Sequence, residues 1–311
     1  MDTINQANLS HFVIQGISDV PQLQVLIFLL ILLFYILTLA GNTAILLLVC
    51  MNKNLHTPMY FFLGNLAVLD MSCSTITLHK PLAMFITGNK KTSFSSCMTQ
   101  VYFFSSFTSN ELLILTAMSY DRYIAICRPL HYTMIMKRET CLSLSLLCWL
   151  LSFLEIIPYI VLLLKLLCYK SNIINHFFCD IVPVLKLSCS DTSALEVLMI
   201  TEGTLLLSFT PFFLTFISYV FIIVTVAKIP TSLGRRKAFY TCSSHLMVVA
   251  LLYGTLFCQY LRPASQDTLD SNKLFSLFNT AVVPFLNPII YSLKNKHVKS
   301  AAKRTLARFK G

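Results

Sequence analysis

The chain has 311 residues, 56% of them hydrophobic and only 12% charged, and its 24 Lys and Arg outweigh 13 Asp and Glu for a formal charge of +11. A soluble domain carries about a quarter charged residues, so this shortage of charge excludes an ordinary water-soluble protein. The basic surplus is unevenly placed along the chain, which argues against a nucleic-acid partner and for the charge asymmetry of a membrane protein.

Residues 1–22 are polar and lack the charged segment, short apolar core and cleavage site of a removable signal. They hold Asn8-Leu9-Ser10, the single glycosylation sequon. Seven apolar blocks follow, at 23–51, 58–78, 98–127, 141–164, 195–228, 238–261 and 274–293. Each is about as long as the roughly 20 residues a helix needs to cross a bilayer core of about 30 Å. The first, fourth and sixth are clear. Asp70 interrupts the second, Glu111 the third, and the short seventh holds Pro284 and Pro288.

These blocks predict an all-α membrane protein, one seven-transmembrane helix bundle at 23–293 that uses the whole chain. The tail, 294–311, carries seven bases and no acid, with Val298, Ala302, Leu306 and Phe309 at helical spacing. That pattern predicts a short amphipathic helix lying on membrane lipid. Placing Lys53, Arg128, Lys137, Arg138, Lys228, Arg235, Arg236 and the tail inside gives an extracellular N-terminus and a cytoplasmic C-terminus.

Ionisable groups inside a membrane are costly and mark function by default. Asp121 and Arg122 close the third block within Met118-Ser119-Tyr120-Asp121-Arg122-Tyr123, just before the basic segment 128–138. A buried acid–base pair that can open at the cytoplasmic surface is a switch. Asn42, Asp70, Glu111 and Asn287 lie deeper and are expected to face the bundle interior and partner one another or water. Asp70 and Glu111 invite a bound cation or one shared proton, since like charges in contact do not both ionise cheaply; the alternative is a polar cluster that fixes helix packing. Pro288 removes a backbone hydrogen bond and bends its helix just above Tyr291. Pro211 and Tyr219 repeat the arrangement in the fifth block.

The upper third block reads Phe103-Phe104-Ser105-Ser106-Phe107-Thr108-Ser109, without charge until Glu111. That lining suits a small, mostly apolar ligand, or ordinary packing in which hydroxyls bond across helices. Cys97, Cys168, Cys179 and Cys189 fall on the outer side, where four cysteines allow three full pairings. Neither a CxxC pair nor a His/Cys cluster suggests a metal.

The stretches that carry a resemblance are Gly41-Asn42, Leu55-His56-Thr57-Pro58-Met59-Tyr60-Phe61-Phe62-Leu63, the Asp121-Arg122-Tyr123 segment, Ser218-Tyr219, Lys237-Ala238-Phe239-Tyr240-Thr241-Cys242-Ser243-Ser244-His245 and Pro284-Phe285-Leu286-Asn287-Pro288-Ile289-Ile290-Tyr291. In these the chain resembles the vertebrate odorant receptors, rhodopsin-like G-protein-coupled receptors, over nearly its whole length.

The resemblance implies disulfides Cys97-Cys179 and Cys168-Cys189, and a sodium or proton site at Asp70 and Glu111. It implies a switch of Asp121, Arg122, Tyr123, Tyr219, His245, Asn287, Pro288 and Tyr291. It points to an odorant pocket of Phe104, Ser105, Thr108, Ser109, Gly203, Leu206, Leu207, Tyr253, Leu256, Tyr260 and Thr280. A plasma-membrane receptor without enzyme activity is expected, which raises cAMP through a heterotrimeric stimulatory G protein, with arrestin as a further partner. The same receptor used outside olfaction as a metabolite sensor stays open. A channel or transporter lacks a polar path here, and an intramembrane enzyme lacks a nucleophile–base set. The seventh block has no lysine for a retinal Schiff base, and Phe103 to Ser109 offers no acid for an amine.

Overall fold

The computed structural model describes residues 4–5, 10–18, 20–260, 266–293 and 296–310. Its helices run in the order the apolar blocks predict. Helix α1 is Pro21–Met51 and α2 is Pro58–Thr87, each with proline in its first turn, where the missing N–H costs nothing. Helix α2 passes the polar pair His79-Lys80 and ends at Thr87, nine residues beyond the predicted end, where Gly88 caps it. That glycine has φ +69° and donates its N–H to the Met84 carbonyl at 2.9 Å.

Helix α3, Phe94–Cys127, starts four residues before its apolar block because Ser93 caps it, accepting from the Ser96 N–H at 3.1 Å. Helix α4 is Arg138–Leu164. Helix α5 comprises Ser193–Leu198, a π-wound stretch Met199–Phe209 and Thr210–Ala227. Helix α6 is Ser232–Tyr260, and α7 comprises Gln266–Leu277, a π-wound Phe278–Val282 and Val283–Leu293. Helix α8, Lys296–Lys310, is the predicted amphipathic tail.

Among the described residues five helical stretches are long and apolar enough to span a membrane: α1, α2, α4, Thr210–Ala227 of α5 and Asn272–Ser292 of α7. The two arms of α6, bent by 41°, make a sixth. Helix α3 misses on polarity, not length. It carries Gln100, Asn110, Glu111, Asp121 and Arg122, all buried. The reason is position, since α3 packs against α2, α4, α5 and α6 and so is enclosed by protein. Helix α1 shows the converse, with Leu26, Leu29, Leu33 and Ile36 exposed around an apolar surface.

Two interior contacts fix the bundle. The single tryptophan, Trp149, donates from Nε1 to Asn65 Oδ1 at 3.0 Å, and the Ser145 hydroxyl donates to the same oxygen at 2.9 Å, tying α4 to α2. On the other side a Cβ on Gly41 would meet the Pro288 ring at 3.2 Å. Glycine there lets α1 approach the bend in α7.

The end opposite Asp121 carries a feature the polar reading of residues 1–22 does not anticipate. Strand β1 is Ile4–Asn5, β2 His11–Ile14, β3 Lys91–Ser93, β4 Cys168–Tyr169 and β5 Ile173–Ile174. Strand β2 lies between β3, antiparallel with Phe12 opposite Thr92, and β5, parallel with Val13 opposite Ile173; β1 pairs with β4. Phe12 and Ile14 point inward and are fully buried, and the Phe12 ring meets Tyr169 edge-on at 5.6 Å. His11–Ile14 is thus the central strand of this outer sheet.

Candidate ligand and switch sites

The acid–base pair at the end of α3 is fully enclosed. Arg122 donates from Nε to Asp121 Oδ2 at 2.9 Å and again from Nη2, while the Tyr132 hydroxyl donates to Asp121 Oδ1 at 2.8 Å. Asp121 is 0% and Arg122 8% exposed. Tyr132, in the turn after α3, was not singled out by sequence. Its burial, with the Asp121 carboxylate beside it, raises its phenol above the usual range and keeps the donor proton in place.

Above this pair lies a three-helix link. His245 Nε2 is 3.0 Å from the Leu115 carbonyl, which only accepts, so Nε2 carries the proton. Nδ1 then accepts from the Tyr219 hydroxyl at 2.7 Å. The chain Tyr219–His245–Leu115 joins α5, α6 and α3, and both side chains are buried. Tyr123, half-buried, packs on Phe221 of α5 with centroids 5.9 Å apart. Tyr291 is buried with its hydroxyl unbonded among the described residues, and Ser244 of α6 donates to the Ile290 carbonyl beside it at 3.1 Å.

The deeper polar residues do not form one cluster. Asn287 Nδ2 donates to both Asp70 oxygens, at 2.9 and 3.0 Å. Glu111 lies near enough for its charge to act on Asp70, and its Oε1 has no hydrogen-bond partner among the described residues. Asn42 instead donates to the backbone, to Thr38 O at 3.0 Å and Pro284 O at 3.1 Å. The expectation that Asn42 partners the other polar side chains is therefore corrected. The described residues hold no group of three metal-ligating side chains.

The residues of the predicted odorant pocket take up different environments. Phe104 is buried and packs edge-on to Phe178 of the long loop after α4, with centroids 4.8 Å apart. Ser105 and Thr108 are half-buried. Ser109 turns toward α4 and donates to Glu155. Gly203 lies against Tyr159, whose hydroxyl would be 3.3 Å from a Cβ there. Thr280 is fully buried and donates to the Ser276 carbonyl at 2.8 Å. Tyr253 is buried against Phe212 at 5.2 Å, and Leu256 is half-buried nearby. The side chains of Leu206, Leu207 and Tyr260, and all of Asn8, lie outside the described residues.

Sequence reasoning missed Glu155 and the outer-loop aromatics. Glu155 interrupts the fourth block as Glu111 does the third, and the same rule would have marked it. Phe177 and Phe178 are fully buried, and His176 packs between them and Ser276 of α7, its Nε2 3.3 Å from the serine oxygen. Burial and the nearby Lys273 ammonium lower His176 to about 3, so the ring is neutral in water near pH 7.

Both implied disulfides are present, Cys97–Cys179 with Cα atoms 5.4 Å apart and Cys168–Cys189 at 5.2 Å, within the reach such bonds require. The first fastens the loop that carries Phe177 and Phe178 to the top of α3. The second closes that loop on itself.

A bundle around a polar central helix, a covalently anchored outer loop and a buried acid–base pair at the opposite end define a membrane receptor of the seven-helix class. The family described as olfactory receptor matches residues 31–308. Mouse olfactory receptor 5AR1 is 44% identical over 308 residues, covering 99% of both chains. Human olfactory receptor 6C3 is 45% identical over 303 residues, 97% of each chain, and human olfactory receptor 2AP1 is 43% identical over 301 residues, 96% of each. The chain belongs to the olfactory receptor family, G-protein-coupled membrane receptors and not enzymes.

Proposed function

We propose that this receptor binds a small, mostly apolar volatile ligand inside the bundle and raises cAMP through a stimulatory, olfactory-type G protein. The observation that carries the reading is the enclosed set Asp121, Arg122 and Tyr132 below the Tyr219–His245–Leu115 link. In this arrangement the arginine is held by an acid and is unavailable to a partner, and α6 is tied to α3. A ligand that favours an alternative arrangement of the helices shifts the balance by its differential affinity. Release of α6 opens the pair, and the basic inner surface receives the G protein; arrestin is proposed for the same face.

The N-terminus is proposed to be extracellular, with Asn8 glycosylated, and residues 294–311 to be cytoplasmic. Their excess of base matches the sign of an inner leaflet. Val298 and Ala301 are buried, and Asn52 Nδ2 donates to Thr305 Oγ1 at 3.3 Å, which holds α8 against the bundle and leaves Lys299, Lys303 and Arg304 exposed toward lipid. We assign Asp70 and Glu111 a monovalent cation such as sodium, or one shared proton. The unpartnered Glu111 oxygen beside a second buried carboxylate supports this, because an uncompensated charge there is expensive.

A cAMP reporter in cells displaying the receptor, screened against a chemically broad panel of volatiles, tests the reading. A dose-dependent rise that Arg122→Ala abolishes at equal surface display is expected. A response that survives Arg122→Ala sinks the switch, and silence across the panel with display verified sinks the ligand class and coupling.

A further inference from the structure

A cleft of about 310 Å³ opens between α5 and α6. Phe212, Phe216 and Tyr219 form one wall, Ala250, Tyr253 and Gly254 the other, and among the described residues no charged side chain lines it. Its position is unlike that of a pocket in the bundle centre. Phe216 is 55% exposed and Ala250 and Gly254 also lie on the surface, so the mouth faces the hydrocarbon that surrounds these helices. Gly254 borders open space, since an added Cβ there would meet nothing within 4 Å, so a larger side chain at this position has room to extend. Its volume is at the lower limit of small-ligand sites, about 300 Å³, which fits an odorant-sized molecule and not a phospholipid.

Two relationships say what occupies it. Phe104 is packed edge-on against Phe178 of the outer loop and shares a buried cluster with it and Phe177, which closes the outer approach to this residue. A small apolar molecule also leaves water for the bilayer, so its concentration is highest against the lipid-facing surface. The inner wall is Tyr253, one of the residues assigned to the odorant pocket, and the cleft reaches Tyr219, whose hydroxyl is bonded to His245. We infer that the α5–α6 cleft is a binding site for a small apolar ligand dissolved in the bilayer, which reaches the bundle sideways past Tyr253. This rests on the apolar ligand class proposed above. A molecule seated there bears directly on the helix pair that the Tyr219–His245 bond holds together.

The probe is a ten-carbon alkyl diazirine, photolysed in membranes of cells that display the full-length receptor, with labelled residues mapped by mass spectrometry. Labelling is expected around Phe216 and Gly254, and is expected to fall roughly tenfold in Gly254→Phe, which fills the cleft from its own wall. Ile223→Phe, on the exposed side of α5 away from the cleft, should leave it unchanged. Gly254→Leu serves where Gly254→Phe is not displayed. Label spread evenly over other lipid-facing helices, or unchanged in the filled variants, overturns the inference. A volatile response in the cAMP assay that Gly254→Phe leaves intact also overturns it while the receptor reading stands. Cleft labelling in a receptor silent to the whole panel upholds the site and removes the proposed volatile ligand and cAMP coupling.

Discussion

The Asn42 amide on α1 donates to the Pro284 carbonyl on α7 at 3.1 Å, and that carbonyl is the one Pro288 leaves free. In a regular helix the N–H four residues on would bond to it, and proline has none. The asparagine of the Gly41-Asn42 pair therefore completes a broken turn in another helix, while Gly41 lets the two backbones come close enough to do so.

Asn42→Leu should lower stability by about 1–3 kcal/mol, the cost of an unsatisfied buried carbonyl. Thermal unfolding of the detergent-solubilised receptor reads this directly. In Pro288→Ala the helix regains its own donor, so the same asparagine change should cost less. Equal costs in the two backgrounds would show that the amide does not act through Pro284.

Tyr132→Phe removes one of the donors to the buried Asp121 carboxylate. A hydrogen bond to a charged group contributes about 1.5–3 kcal/mol, and its loss weakens the closed pair. Basal cAMP should rise several-fold above the parent receptor at matched display. Unchanged or lower basal signal would mean that Tyr132 braces the turn without holding the switch.

Tyr219→Phe and His245→Phe each break the link from α5 through α6 to the Leu115 carbonyl. Because the two side chains share one bond, their effects on stability should be non-additive by about 0.5–3 kcal/mol in a double-mutant cycle. Strict additivity would show the two groups to be independent.

His176 gives a pH dependence whose sign follows from burial. Its value falls from 6.5 to about 3 on folding, so below pH 6.5 the unfolded chain takes up a proton that the folded chain does not. Stability is unaffected above 6.5 and falls by about 1.4 kcal/mol per pH unit from there toward 3. Unfolding midpoints at pH 7.5 and 5 should differ less in His176→Phe than in the parent. Matching slopes would place the acid sensitivity elsewhere.

The membrane spans were legible because hydrophobic length is a property of the chain alone. Asp121 and Arg122 stood out as charge at the end of an apolar run. The pairing of Asp70 with Asn287 was accessible as a need for partners, whereas the backbone role of Asn42 was not, since it depends on which helix lies beside α1. The outer strands escaped notice because stretches of two to four residues carry too little alternation to read, although Phe12 and Ile14 two apart were the trace. Glu155 was overlooked inside the surrounding leucines. The facing of Ser109 toward Glu155 of α4 is decided by rotation about the α3 axis, which an aromatic–hydroxyl pattern leaves open.

The close approach of Gly41 to the Pro288 ring has a consequence for how such sequences diverge. A lineage that straightens α7 by losing the proline frees position 41 to accept a side chain, and also relieves Asn42 of its task. A lineage that first enlarges Gly41 must move the bend or lose the seal. Inheritance at these three positions should accordingly be correlated, with substitutions appearing together on the same branches and seldom alone.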